Sequence, residues 1–366
     1  MIDRRLFTNF DWGLLGLVLL ISGLGVINIS SATASYALSG TPYYVKQICW
    51  IFAGLVLIVF VCSIDYHILE DFSYWLYGGL LCLLLLVLVA GKSSMGATRW
   101  LHLGLFSFQP SELMKIVIIM AYANYFTRTP VLNGLGFKEL IFPLLLLAGP
   151  VLMIMKQPDL GTASLVFMIA LSILMFVGVR IATVFSVLLA TIPGAFLAWY
   201  FYLRDYQKER ILNFLYPERD PLGTGYHIIQ SKIAVGSGGF LGKGFMHGTQ
   251  AQLHFLPEQH TDFAFSVFSE EWGFAGCLVI LLLYFSLILW GLSVAKRCND
   301  RFGKLVAVGV TAMLFWHIII NIGMVIGLFP VVGVPLPLFS YGGTSMVTSM
   351  IGVGLLLNIQ MRRFMF

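Results

Sequence analysis

The chain carries one apolar run after another long enough to cross a lipid bilayer. Windows such as Trp12 to Ser31, Ile48 to Ile64, Tyr74 to Ala90, Thr162 to Val179, Ile181 to Tyr202 and Leu305 to Phe329 match the roughly 20 residues a helix needs to span a hydrocarbon core. The runs are continuously apolar and do not alternate, so they specify helices and not the strands of a barrel. Composition agrees: 59% of the 366 residues are hydrophobic and 11% charged, against roughly 25% charged in an average soluble domain. The fold class expected is an all-α polytopic membrane protein, a single integral membrane domain over 1–366.

Ten spans are expected, near 12–31, 46–64, 74–91, 110–126, 138–155, 162–179, 181–202, 264–294, 304–329 and 342–361. An even count puts both termini on one side. Arg4, Arg5, Arg128, Lys138, Arg180, Lys296, Arg297, Arg301, Lys304, Arg362 and Arg363 all fall on that side, whereas the short loops opposite hold Lys46, Lys92, Arg99 and Lys156. Basic residues collect on the cytoplasmic face, so both termini are expected in the cytoplasm. A large loop over 203–263 is then extracytoplasmic. One loop dissents, because Asp65 to Asp71 (DYHILED) is acidic and holds no Lys or Arg. Ala32-Thr33-Ala34 imitates a signal-peptidase site, but the apolar stretch before it exceeds the roughly 7 to 15 residues of a signal core, so the first span is expected to be retained.

The net charge of +5 is accounted for by cytoplasmic anchoring and gives no case for nucleic acid. The five cysteines, Cys49, Cys62, Cys82, Cys277 and Cys298, show no metal-ligand spacing and read as packing residues or free thiols. Glu112 and Lys115 in FSFQPSELMK lie three apart at the outward start of the fourth span and so share a helix face. They read either as an interfacial anchor or as part of a site. In KQPDLGTA, Asp159 reads first as a helix cap, while Lys156 sits where a phosphate at headgroup level would be met. In the large loop Arg204, Lys208, Arg210, Lys232 and Lys243 would attract phosphate or pyrophosphate or simply snorkel. PVVGVPLPLFSYGG at 330–343 cannot be one continuous helix and must be covered by protein or line a wet cavity. His317 and Asn321 read as an interhelical hydrogen-bonding pair.

HFLPEQHTDFAF at 254–265 places Glu258, His260 and Asp262 beside the bilayer. Thr261 and Asp262 precede an apolar run, so Asp262 reads equally well as a helix cap and as an acid–base residue. Glu258 and His260 are alternatives for the same chemistry.

FQPSE (108–112), QPDLGT (157–162), DPLGTGYHIIQSKIAVGSGG (220–239), GKGFMHGTQ (242–250), LPEQHTDFAF (256–265), EEWG (270–273) and VVGVPLPLFSYGG (331–343) resemble the SEDS family (shape, elongation, division and sporulation), and its elongation branch more than its division branch. Ala264, Trp272 and Thr344 depart from the family's usual residues, none at a proposed catalytic group. The resemblance implies a peptidoglycan glycosyltransferase that polymerises lipid II during cell elongation and releases undecaprenyl pyrophosphate. It places the enzyme in the cytoplasmic (inner) membrane with the site facing outward. It also implies Asp262 as the essential aspartate, Glu112 and Lys115 as the family's Glu-Lys pair, and a class B penicillin-binding protein as transpeptidase partner.

Such a transfer needs a base for the attacking 4-hydroxyl and positive charge for the departing pyrophosphate. Asp262 is the expected base. Lys115, with Lys232, Lys243 or a divalent cation (magnesium or manganese), is expected to offset the leaving-group charge. The alternatives are a lipid II flippase, which calls for polar residues near the middle of several spans, and a non-catalytic scaffold for the penicillin-binding protein.

Overall fold

The structure is a computed structural model that describes residues 9–35, 41–90, 92–94, 97–103, 106–129, 134–202, 205–216, 218, 223–253, 255–256 and 258–363. Arg4, Arg5, Arg204 and the side chain of Arg210 lie outside the described residues. The chain forms α1 (Trp12–Ala32), α2 (Tyr43–Ser63) and α3 (Tyr66–Ala90), then three strands, β1 (Lys92–Ser94), β2 (Ala97–Leu103) and β3 (Phe106–Phe108). Next come α4 (Pro110–Arg128), α5 (Phe137–Lys156), α6 (Leu160–Val177) and α7 (Ile181–Leu197), which ends in a π turn, Ala198–Tyr202. Three helices within the large loop follow, α8 (Asp205–Leu215), α9 (Thr224–Ser237) and α10 (Thr249–Gln252). The last three are α11 (Ala264–Arg297), α12 (Arg301–Val325) and α13 (Gly343–Arg362).

Each of the ten expected spans coincides with one of these helices, and the chain is an all-α polytopic membrane protein. Among the described residues eight helices are long and apolar enough to cross a membrane. The other two expected spans, α4 and α7, miss for different reasons. α7 is 17 residues long and continues into the π turn. α4 carries Glu112, Lys115 and Asn124, but most of its 19 residues are buried by neighbouring helices, so lipid never meets the polar groups. α4, α12 and α13 form the centre: 72% of the apolar window of α12 and 83% of that of α13 is buried, against 22% for α2 and α3. α13 packs on α2, α11 on α12, and α12 on α4 and α6.

Local chemistry explains the helix ends and bends. Asp11 caps α1 by accepting from Leu14 N at 3.1 Å, and its other oxygen accepts from Trp290 Nε1 at 2.8 Å, tying α1 to α11. Pro110 opens α4, where its missing N–H costs nothing. In α5, Pro150 cannot donate to the carbonyl of Leu146 four residues back, and Tyr77 Oη donates to that oxygen instead, at 2.7 Å.

The acidic loop that breaks the charge rule is neutralised from other elements. Arg362 Nη1 lies 3.4 Å from Asp65 and Arg128 Nη2 lies 3.6 Å from Asp71, so arginines of other elements serve the acids that have no Lys or Arg neighbour in sequence. The three-stranded antiparallel sheet, ordered β1-β2-β3, has no counterpart in the span count. Its strands of 3, 7 and 3 residues are too short for alternation to register. It sits where α3 gives way to α4 and presents Arg99 toward the α5–α6 turn.

Candidate active site

Asp262 belongs to the turn that enters α11. The helix begins at Ala264 and its N-cap is Phe263, with no side-chain capping bond, which removes the capping reading of Asp262. Asn321 on α12 holds the residue by its backbone, donating from Nδ2 to the Asp262 carbonyl at 3.0 Å and to the Val334 carbonyl at 2.7 Å. The side chain is left without a hydrogen bond to any described residue and looks into a cavity of about 860 Å³. Gly333 closes up against it: its φ of +70° suits glycine, and a Cβ there would stand 3.3 Å from Asp262 Oδ2.

The same cavity is lined by Lys46, Arg99, Gln109, Glu112, Asp159 and Thr162. Loss of water around Asp262 pushes its carboxyl from 3.8 up to about 7; the charges of Glu258 and Asp159 add to the rise and Arg99 opposes it. Asp159 both caps α6 and faces the cavity. Its carboxylate accepts from Thr162 N at 3.2 Å, Thr162 Oγ1 at 2.9 Å and Gln109 Nε2 at 3.0 Å. Arg99 is steered by the α5–α6 turn: it donates to the carbonyls of Gln157 and Pro158, and its Nη1 is 3.9 Å from Asp159.

Glu112 and Lys115 form the pair their spacing predicts, at 2.8 Å. Glu112 lines the cavity, but Lys115 is 0% exposed and stands behind it. Lys115 Nζ also meets His317 Nε2 at 2.8 Å, and His317 Nδ1 donates to the Met313 carbonyl at 2.8 Å. A carbonyl only accepts, so the ring proton is on Nδ1 and Nε2 accepts a hydrogen bond from the lysine ammonium. His317 thus bonds between helices, to Lys115 on α4, whereas Asn321 reaches from α12 to two carbonyls outside the helices, those of Asp262 and Val334.

The loop residues distribute differently from their sequence order. His260 is half-buried between Tyr43 and Tyr341, with ring centroids at 4.5 and 5.6 Å, and burial lowers its pKa against the pull of Glu258. Glu258 is exposed and acts on Asp262 through its charge. Lys156 is exposed and Lys232 lies against Gly327, neither of them lining the cavity. Lys243 is taken up by Glu270, 2.6 Å away. Among the described residues the cations that line it are Arg99 and Lys46. Both belong to the small set expected on the side opposite the basic one, and that exception to the charge bias was their signal in the sequence.

Among the described residues no three His, Cys, Asp or Glu side chains gather into a protein-held metal cluster. Glu112 is engaged with Lys115 and Asp159 with the α6 cap, which leaves Asp262 as the cavity carboxylate without a hydrogen bond to a described residue. Beside the cavity an apolar groove of about 660 Å³ shares Trp50, Ala53 and Thr344 with it and runs along Phe52, Val56 and Leu113.

Comparison with known proteins places this arrangement. The chain is 45% identical to peptidoglycan glycosyltransferase MrdB of Escherichia coli K12 over 328 residues, 87% of this chain and 86% of that one. It is 34% identical to peptidoglycan glycosyltransferase RodA of Treponema pallidum, covering 97% and 98%. A chain of a peptidoglycan synthase complex that coordinates polymerization and crosslinking superposes with a TM-score of 0.85 at 34% identity, covering 98% and 99%. The rod shape determining protein RodA of Thermus thermophilus superposes with a TM-score of 0.72 at 29% identity, covering 97% and 98%. The model of the FtsW/RodA/SpoVE family, described as cell cycle proteins, matches residues 11–364, and the chain belongs to that family, the SEDS proteins.

Proposed function

We propose that the chain is a peptidoglycan glycosyltransferase of the elongation branch, polymerising lipid II into glycan strands with Asp262 as base. The observation that carries this reading is the Asp262 carboxylate: free of hydrogen bonds to the described residues, raised to about 7, and set in a cavity that also holds Arg99 and Lys46. The relatives named peptidoglycan glycosyltransferase support the reaction class.

In this reading the 4-hydroxyl of the acceptor sugar gives its proton to Asp262 as its oxygen attacks the anomeric carbon of the donor. The new glycosidic bond forms while the bond from that carbon to the pyrophosphate oxygen breaks. Undecaprenyl pyrophosphate leaves with the electron pair, and the anomeric configuration inverts. A base whose pKa lies near the working pH combines availability with strength. Arg99, its guanidinium already fixed on two carbonyls, and Lys46 meet the charge that grows on the pyrophosphate. Lys115 acts one layer back, holding the Glu112 carboxylate at the cavity wall. The adjoining apolar groove suits a polyprenyl chain reaching the cavity from the side.

Both termini lie in the cytoplasm and the cavity faces outward from the inner membrane, a topology supported by the basic ends of α4, α11, α12 and α13 on the side opposite Asp262. The resemblance to a chain from a complex that couples polymerization and crosslinking supports a class B penicillin-binding protein as partner. The test is to give purified protein, with that partner, lipid II in vesicles and follow glycan strands and released undecaprenyl pyrophosphate. Movement of lipid II across the bilayer without strand formation would replace the polymerase with a flippase.

A further inference from the structure

α11 is broken at Gly273, whose φ of +63° and ψ of −164° are not helical. The break opens two rungs of the helix ladder, and a loop from elsewhere fills them. Phe274 N and Ala275 N donate to the carbonyls of Gly239 and Phe240 at 2.9 and 3.0 Å, while the freed carbonyls of Glu270 and Glu271 accept from Lys243 N and Gly244 N, each at 3.0 Å. The segment 239–244 is therefore spliced into a membrane helix and cannot move independently of it.

This loop presents the wrong surface for water. Phe240 is 69% exposed and Leu241 77%, and Phe245 and Met246 are exposed as well. The only formal charge between residues 238 and 253 is Lys243, and Glu270 takes it at 2.6 Å. The apolar side chains continue a surface that already faces lipid: Phe274, Leu278, Leu282, Phe285, Leu289 and Leu292 are exposed at helical spacing down α11, and Phe240 stacks on the first of them with ring centroids 5.9 Å apart.

We propose that Phe240 and Leu241 are seated in the lipid leaflet on the Asp262 side, extending the lipid-facing stripe of α11 beyond its break. Apolar side chains at the end of a span bury into the acyl–headgroup boundary with a strength that scales with the apolar area removed from water. Glu270 makes the seat rigid. Besides Lys243, its carboxylate accepts from Thr249 N at 2.9 Å and from Gln250 N at 3.1 Å. The turn carrying Asp262 begins the same half-helix, so the anchor sets the height of that carboxylate relative to substrates that arrive on lipids. This inference does not depend on the reaction assigned above.

The test is photocrosslinking in native membranes from the full chain, with p-benzoylphenylalanine placed at Leu241 and, in a second variant, at Phe240. Leu278 serves as the lipid-facing reference and the exposed Glu218 of the large loop as the aqueous one. Adducts of phospholipid mass at Leu241 and Phe240, in yield comparable to Leu278, are the expected result. Yields no higher than at Glu218 would show that the loop faces water and overturn the proposal. A protein adduct in place of lipid would overturn it too, assigning the patch to a partner chain or a second copy.

Discussion

The side chain of Asn321 holds the backbone of Asp262, Nδ2 to carbonyl oxygen at 3.0 Å, and so separates where that residue sits from what its carboxylate does. The same amide donates to Val334 at 2.7 Å, next to Gly333, so the acid and the wall against it are set by one buried group on α12.

Asn321→Ala should therefore cost both stability and turnover. The buried Val334 carbonyl and the part-buried Asp262 carbonyl lose their donor, at about 1–3 kcal/mol for a buried group left unsatisfied and less for the other. A lower thermal midpoint together with a fall in kcat, and little change in KM, is expected from calorimetry and strand synthesis. A variant that loses stability alone would reduce Asn321 to a packing residue.

The pH profile of polymerisation should report Asp262. The carboxyl is held up at about 7, and the base acts only when deprotonated, so turnover is expected to rise with pH and level off above that value. Below it the rate should fall about tenfold per pH unit. Glu258→Gln removes a charge that raises the Asp262 pKa and should move the inflection to lower pH, whereas Arg99→Gln removes a charge that lowers it and should move the inflection up. Shifts in the same direction, or none, would take Asp262 out of the rate profile.

The spans were legible because apolar length is a property of the chain itself. The resemblance pointed to Asp262, and the i,i+3 spacing by itself puts Glu112 and Lys115 on one helix face. What sequence reasoning missed depends on partners distant in the chain. Lys243 has the composition of a phosphate ligand, yet Glu270, 27 positions on, takes its charge. Arg99 reads as a loop residue until the α5–α6 turn, nearly sixty positions later, supplies carbonyls that aim it into the cavity. The acidic loop at Asp65 looked like an exception to the charge rule because Arg362 lies 297 positions away.

Lys115→Met should separate structural from chemical roles in the buried pair. Removing one partner of a buried ion pair typically costs about 3–5 kcal/mol, and His317 Nε2 loses its donor as well. Glu112→Leu combined with Lys115→Met removes both charges and should recover much of that stability. Strand synthesis should stay low in the double variant because the cavity has lost the Glu112 carboxylate. Wild-type turnover from the stable double variant would confine the pair to holding α4 against α12.

Arg99→Lys keeps the charge but not the planar fork that reaches two carbonyls. Its expected effect is a raised KM for lipid II and a reduced kcat in a protein that still folds, with Arg99→Gln more severe. Unchanged kinetics in both would pass the pyrophosphate contact to Lys46 alone.

Asp262→Asn is the sharpest case because activity and stability should move in opposite directions. Asparagine keeps the size and the backbone bond from Asn321 but cannot accept the hydroxyl proton, so a loss on the order of 10² to 10⁴ in rate is expected. In the wild type the folded-state pKa is raised to about 7 from 3.8, so the native state binds the proton more tightly than the unfolded chain does. That binding favours the fold below the unfolded value and is progressively lost as pH rises through the folded one. The variant carries no such penalty. Its thermal midpoint should exceed that of the wild type at pH 8, and the advantage should shrink as the pH is lowered across this window. Thermal scans of the solubilised proteins from pH 4 to pH 8, run beside strand synthesis from lipid II, read both effects. A well-folded Asp262→Asn protein with wild-type turnover would move the base to Glu258 or His260, and a midpoint difference independent of pH would mean that Asp262 is not desolvated in the folded enzyme.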